Sequence, residues 1–158
     1  MNFYNKKLFK LDHSGNSLAI YPKKILIGTN IKLIYGLKKL SKDNNNCNLR
    51  ICFHKSKKDK LQNMMILLNS KSRQKSKIHK HKFKDEVYQI IEGKLKILVF
   101  LNKVKTKKII LQKGKNLIAR IDKNKHHTTL PMTDIVIYHE IRQGPFSGND
   151  SIFREMKK

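Results

Sequence analysis

Cysteine is nearly absent. Cys47 and Cys52 are the whole supply in 158 residues, too few for a disulfide framework and without the second pair that a thiolate zinc site needs. They read as ordinary reduced thiols. If both lie on one strand, their odd separation turns them to opposite faces, which argues against a bond between them. Long apolar runs are missing as well, and nothing approaches the length that crosses a bilayer. Met1 to Lys10 carry polar and charged groups where a secretory signal has an unbroken apolar stretch. The expected location is the cytoplasm, with no membrane as a partner. No repeat of solenoid length is visible, and a 39% hydrophobic content over this length suits one buried core.

Arginine is scarce among the cations. The formal net charge is +25, yet of 36 basic residues only Arg50, Arg73, Arg120, Arg142 and Arg154 are arginine. Planar two-pronged contacts to phosphate and guanine favour arginine, and the lysines are spread along the chain with no dense basic arm. Heavy use of Lys, Asn and Ile is what an AT-rich genome imposes on any soluble protein. These features argue against a nucleic-acid partner, though counterion release makes any cationic surface attract phosphates to some degree. A small anionic molecule fits such a surface better.

Along the chain, Ile31, Ile34, Leu37 and Leu40 recur at three-residue steps, which predicts a short helix over 29–40 with Thr29 as its cap. Ser41 to Asn46, with Asp43 and three consecutive Asn, predicts a loop. Residues 1–46 therefore read as an N-terminal appendage of strand, helix and loop, 47–150 as the main domain and 151–158 as a tail, poorly ordered after Phe153. Leu49 to His54 alternates as a strand does, with Arg50, Cys52 and His54 on one face. Ser56 with Asp59 resembles a capping box, and Leu61, Met64, Met65 and Leu68 have helical spacing; Met64 to Leu68 is equally a short buried strand. Beyond it, 86–91, 94–101, 107–111, 117–121, 127–130 and 135–141 are short, rich in β-branched residues and separated by turn formers. Such spacing predicts a mainly β chain folded as a sandwich or barrel, with Glu92-Gly93 as one tight hairpin turn.

His79-Lys80-His81 puts two imidazoles two residues apart, so on a strand both point to the same side and can share one ion. Glu86 follows near enough to present a carboxylate to the same cavity, and His127 lies on a later strand. Imidazoles with one carboxylate suit a single divalent ion, Zn, Fe, Ni or Mn, with positions left open for water or substrate. Tyr88 shares the inward face of Glu86, either as a phenolic acid or as a core tyrosine. Arg50 is placed to bind a carboxylate or phosphate in the barrel mouth, or to pair with Glu140. His13, His54, His126 and His139, taken singly, read as surface or hydrogen-bonded interior groups.

The run His79-x-His81-x4-Glu86-x6-Gly93 resembles the first cupin motif, and His127 resembles the histidine of the second. The family's second motif is Pro-x-Gly-x-x-His; here Asp122 stands for the proline and Asn124 for the glycine, a residue that also tolerates positive φ. A narrower resemblance, over about residues 44 to 150, is to the WbuC family of cupin-fold metalloproteins. It rests on Asn48 to His54, Ser56 and Asp59, Leu61-Gln62 with Met64, His127-Thr128, His139-Glu140 and Gly144-Pro145-Phe146. The resemblance implies a cupin jelly-roll β-barrel, favours a strand at Met64 to Leu68, and suggests a bacterial surface-polysaccharide (O-antigen-type) setting without an established reaction. The leading expectation is a metal-dependent enzyme, an isomerase, epimerase or oxygenase, acting on a small anionic sugar derivative or keto acid. A non-catalytic cupin that binds a sugar or sugar nucleotide is the alternative, and a basic nucleic-acid binder the third reading. A homodimer is the expected assembly.

Overall fold

The computed structural model describes residues 3, 5–13, 17–24, 28, 30–102 and 104–154. Among them, the strands are β1 (Phe9–Asp12), β2 (Leu18–Pro22), β3 (Leu49–Cys52), β4 (Leu61–Asn69), β5 (His79–His81), β6 (Glu86–Glu92), β7 (Lys94–Phe100), β8 (Thr106–Gln112), β9 (Ile118–Ile121), β10 (His126–Pro131), β11 (Ile135–Gln143) and β12 (Ser151–Phe153). One helix, α1 (Ile31–Asp43), lies between β2 and β3. The strands form a seven-stranded sheet in the order β1-β2-β3-β4-β11-β6-β9 and a five-stranded sheet in the order β12-β5-β10-β7-β8. All pairings are antiparallel except β2 with β3. This is a cupin-type jelly roll with a short helix packed outside it, and no helix among the described residues is long and apolar enough to cross a membrane.

Two apolar cores follow from the layering. Leu33, Leu37 and Leu40 of α1 pack with Leu49, Ile51, Met65, Leu67 and Ile137 on the outer face of the large sheet. Leu95, Ile97, Val99 and Leu111 meet Leu68, Ile90, Val136 and Tyr138 between the sheets. β4 contributes to both, Met65 and Leu67 outward and Leu68 inward, so its near-continuous apolar run is that of a strand covered on both sides. The helical alternative for this stretch is not taken. Ser56 Oγ donates to Asp59 Oδ1 at 2.9 Å, and Asp59 Oδ2 accepts from the Lys55 amide at 2.8 Å, closing a turn before β4.

Several expectations need correction. The helix buries Leu33, Leu37 and Leu40, while Ile31 is 58% exposed. A strict three-residue step drifts steadily around a 3.6-residue helix, whereas spacings of four and three stay on one face. Asn30 caps the first turn, its Oδ1 accepting from the Leu33 amide at 3.3 Å; Thr29 lies outside the described residues. The expected 1–46 appendage is built into the large sheet, because β2 runs parallel to β3 from Leu18 beside Leu49. At the other end Ser151–Phe153 is an edge strand on β5 rather than tail, and residues 155–158 lie outside the described residues. Cys47 and Cys52 are both free thiols.

Candidate metal centre

β5 and β10 are neighbours, with His127 directly opposite His79. β6 belongs to the facing sheet, so the two histidines of β5 and His127 of β10 look across the barrel at Glu86. Two turns hold this arrangement. Gly93 sits at φ +80°, and a Cβ there would collide with the Ile135 carbonyl. Asn124 takes φ +62° in the turn before β10, and its amide donates to the His81 carbonyl at 2.7 Å.

Three of the four expected ligands, His79, His81 and Glu86, form one cluster among the described residues, and His127 contacts it through Glu86. His79, His81 and Glu86 each present a donor atom within 4.8 Å of the others. His81 Nε2 is 2.9 Å from Glu86 Oε1, and His127 Nε2 is 2.8 Å from Glu86 Oε2. His81, Glu86 and His127 are almost fully buried. Each imidazole also has its Nδ1 backed by a polar partner. His79 Nδ1 lies 3.0 Å from the Lys77 carbonyl and His127 Nδ1 3.0 Å from the Lys125 carbonyl. His81 Nδ1 lies 3.3 Å from Ser151 Oγ and 3.4 Å from Asp150 Oδ2. Outer partners of this kind fix ring orientation and leave Nε2 as the metal-binding nitrogen. Two donors on one ion at about 2.1 Å each lie at most about 4.2 Å apart, so the described spacing fits an ion after a small inward closure. The donor set therefore fits a divalent metal.

The remaining walls carry charge. Tyr88 donates its hydroxyl to Glu86 Oε2 at 2.6 Å and lies 3.1 Å from His127 Nε2. Arg142 Nη1 is 3.3 Å from both Glu86 Oε1 and His81 Nε2, and 3.8 Å from Glu140 Oε1. Burial works to raise the Glu86 carboxyl, but hydrogen bonds from His127 and His81, with their charges, outweigh it and hold the group well below its usual range. Burial depresses His127, and its bond to Glu86 more than reverses that, so His127 is raised. His79 falls to about 4, first through burial and then through the nearby charge of His127. Burial drives the Tyr88 phenol well above 10, with the Glu86 charge adding, so it is a neutral proton donor at pH 7.

Tyr88 thus lies in the centre itself, and Arg50 lines the same cavity, of about 310 Å³, together with His79, Glu86 and Arg142. Arg50 makes no hydrogen bond or ion pair with Glu140 among the described residues; Arg142 takes that carboxylate. His54 and His139 are interior groups bonded to Asn63. Sequence reasoning passed over Glu140, Arg142, Asp150 and Lys84 as site residues. The alternation of Tyr138, Glu140 and Arg142 along β11 was a usable signal for the first two, because all three line the cavity. Asp150 and Lys84 left none.

Comparison with known proteins agrees with the fold. Residues 34–111 match a family described as a domain of unknown function, DUF6016. No curated protein matches the sequence significantly. Among solved structures, protein SO0799 from Shewanella oneidensis superposes with a TM-score of 0.52 at 13% identity, covering 61% of this chain and 63% of that one. CapF bound to the inhibitor 3-isopropenyl-tropolone gives a TM-score of 0.55 at 18% identity, covering 68% of this chain and 31% of CapF. The capsular polysaccharide assembling protein CapF from Staphylococcus aureus gives 0.52 at 18% identity, covering 63% of this chain and 27% of that one. The chain spans under two thirds of each. At these identities the likeness is one of fold.

Proposed function

We propose that this chain is a metal-dependent cupin enzyme that acts on a small anionic sugar derivative or keto acid in surface-polysaccharide biosynthesis in the bacterial cytoplasm. The observation that carries the metal reading is the set of three imidazoles, each backed at Nδ1 and each turned towards one buried carboxylate. His79, His81, Glu86 and His127 would hold one Zn, Fe, Ni or Mn ion. Such an ion supplies Lewis acidity for an isomerisation or epimerisation, or, if it is iron, the chemistry of an oxygenase. Tyr88 keeps its proton at neutral pH and orients Glu86, so it serves as donor rather than base. Arg142 balances Glu86 and Glu140, and Arg50 offers a cation in the same cavity for the anionic end of a substrate. The resemblance to WbuC proteins and the fold shared with a capsular polysaccharide assembling protein support the polysaccharide setting.

Metal analysis of the purified protein tests the first half. About one ion per chain is expected, lost in the His79→Ala, His81→Ala double variant; a protein that takes up no divalent ion sinks the reading. Turnover is tested by screening sugar nucleotides, uronates and keto acids with Fe, Mn, Ni and Zn. Ligands that bind without conversion under every metal would make this a binding cupin. Nucleic acid bound in preference to all of them would favour the third reading.

A further inference from the structure

We propose that the metal cavity continues past Arg50 into a second chamber, and that the ligand's carboxylate or phosphate lies at the junction, between the guanidinium groups of Arg50 and Arg142. The inference rests on the metal reading for the position of the ligand's other end. The second chamber, of about 120 Å³, is walled by Tyr21, Cys52, His54, Lys57 and Gln62. Arg50, Met64, Arg142 and Phe146 line both chambers and so stand where the two meet.

Three features make this junction an anion site. The Nε–H of Arg142 is buried and has no acceptor among the described residues, while Nη1 of the same side chain is committed to Glu86. A buried donor without an acceptor gains a bond from any oxygen brought to it. The Arg50 guanidinium has no carboxylate within ion-pair distance among the described residues, because Glu140, on the same wall, is taken by Arg142. Among the described residues no Asp or Glu lines the second chamber, and the Phe146 ring stacks on Arg142 at 5.5 Å, which holds the guanidinium plane in place. Two cations, one of them with a buried donor that has no acceptor among the described residues, match the planar or tetrahedral oxygens of a carboxylate or phosphate.

The chamber beyond, of about 120 Å³, has room for on the order of ten water-sized groups. The ligand class is therefore a small molecule with metal-binding oxygens at one end and an anionic group at the other, such as a hexuronate or a sugar phosphate. Glucose, glucuronate and glucose 6-phosphate present a common ring with no charge, a carboxylate or a phosphate, and calorimetry on the zinc-loaded protein compares them. At least one anion should bind about tenfold or more tightly than glucose, the worth of a charge-assisted bond. Arg50→Gln should abolish that advantage while zinc content stays at wild type, and Arg50→Lys should keep part of it. The carboxylate and phosphate arms tell the two anions apart. Equal binding of all three sugars, or an advantage that survives in Arg50→Gln, overturns the proposal. A chain that takes up no zinc sinks the metal reading instead, and the anion preference is then read on the metal-free protein by the same comparison.

Discussion

Asp150 stands behind His81. Its Oδ2 lies 3.4 Å from Nδ1 of the ring, while Nε2 on the far side is 2.9 Å from Glu86. The carboxylate is itself held by Lys84 Nζ at 3.3 Å and by the Phe83 amide at 3.2 Å, and Lys84 reaches on to the Pro145 carbonyl. The segment after β11 thereby orients His81, a proposed metal ligand on β5. Removing an outer partner of this kind typically weakens metal affinity by about 10–100-fold. Asp150→Asn should show that loss in chelator competition, and Asp150→Glu should recover part of it. Urea unfolding in parallel separates this from general damage, because Lys84 is left without its counter-charge. Unchanged affinity in Asp150→Asn would remove Asp150 from the site.

Glu140 sets a pH dependence. Burial pushes its carboxyl up to about 7, Glu86 adds to the rise, and Arg142, His81 and Arg50 oppose it. The unfolded group ionises near 4.5. Between these values the folded chain holds a proton that the unfolded chain has released, so this contribution is full below the unfolded value and lost as pH rises through 7. Metal-free wild type should lose stability relative to Glu140→Gln on going from about pH 5 to about pH 8, by something on the order of 1–3 kcal/mol. Urea titrations at the two pH values check this. Parallel changes in both proteins would show that Glu140 ionises as an ordinary carboxylate.

What was legible in the chain was local. His79-x-His81 reads directly because strand geometry has a period of two, and Gly93 and Asn124 read as turns because few residues accept the +80° and +62° they adopt. Glu86 came with the same motif, and His127 with the second one. Arg142 did not, since its contact with His81 spans 61 positions and depends on β11 lying beside β6. Asp150 is further still from what a pattern can carry: a three-residue strand after it pairs with β5 through only Ser151, Ile152 and Phe153. Pairing between distant strands is decided by packing, and packing is not periodic. The misassigned face of α1 is a milder case, in which the right residue types were weighed at the wrong angular step.

That face can be tested away from the site. Leu37 is fully buried in the outer core, whereas Tyr35, two residues earlier, is 63% exposed. Leu37→Ala should cost about 2–5 kcal/mol, the range for deleting a buried leucine. Tyr35→Ser should stay within about 0.5 kcal/mol of wild type. Equal effects in denaturant unfolding would mean that the helix does not pack through Leu33, Leu37 and Leu40.

Gly144 ties the outer turn to the proposed metal centre. Its amide donates to the Lys60 carbonyl at 2.6 Å, the Phe146 amide donates to the Lys57 carbonyl at 2.6 Å, and a Cβ on Gly144 would overlap the Asp59 carbonyl. Only a residue without a side chain lets the segment lie this close, and the backbone atoms that would be struck cannot swing aside as a side-chain end can. Gly144→Ala should therefore push the 144–146 segment off the Ser56–Asp59 turn, at about 1–3 kcal/mol as for other overpacked sites. Because Pro145 holds Lys84 and Lys84 holds Asp150, the displacement should also loosen His81 and weaken metal binding. Gly114 is the control: it has φ +81° with open space around it, so Gly114→Ala carries backbone strain alone. Metal affinity should fall in Gly144→Ala and hold in Gly114→Ala at matched stability, and a loss common to both would reduce the link to a general effect of unfolding.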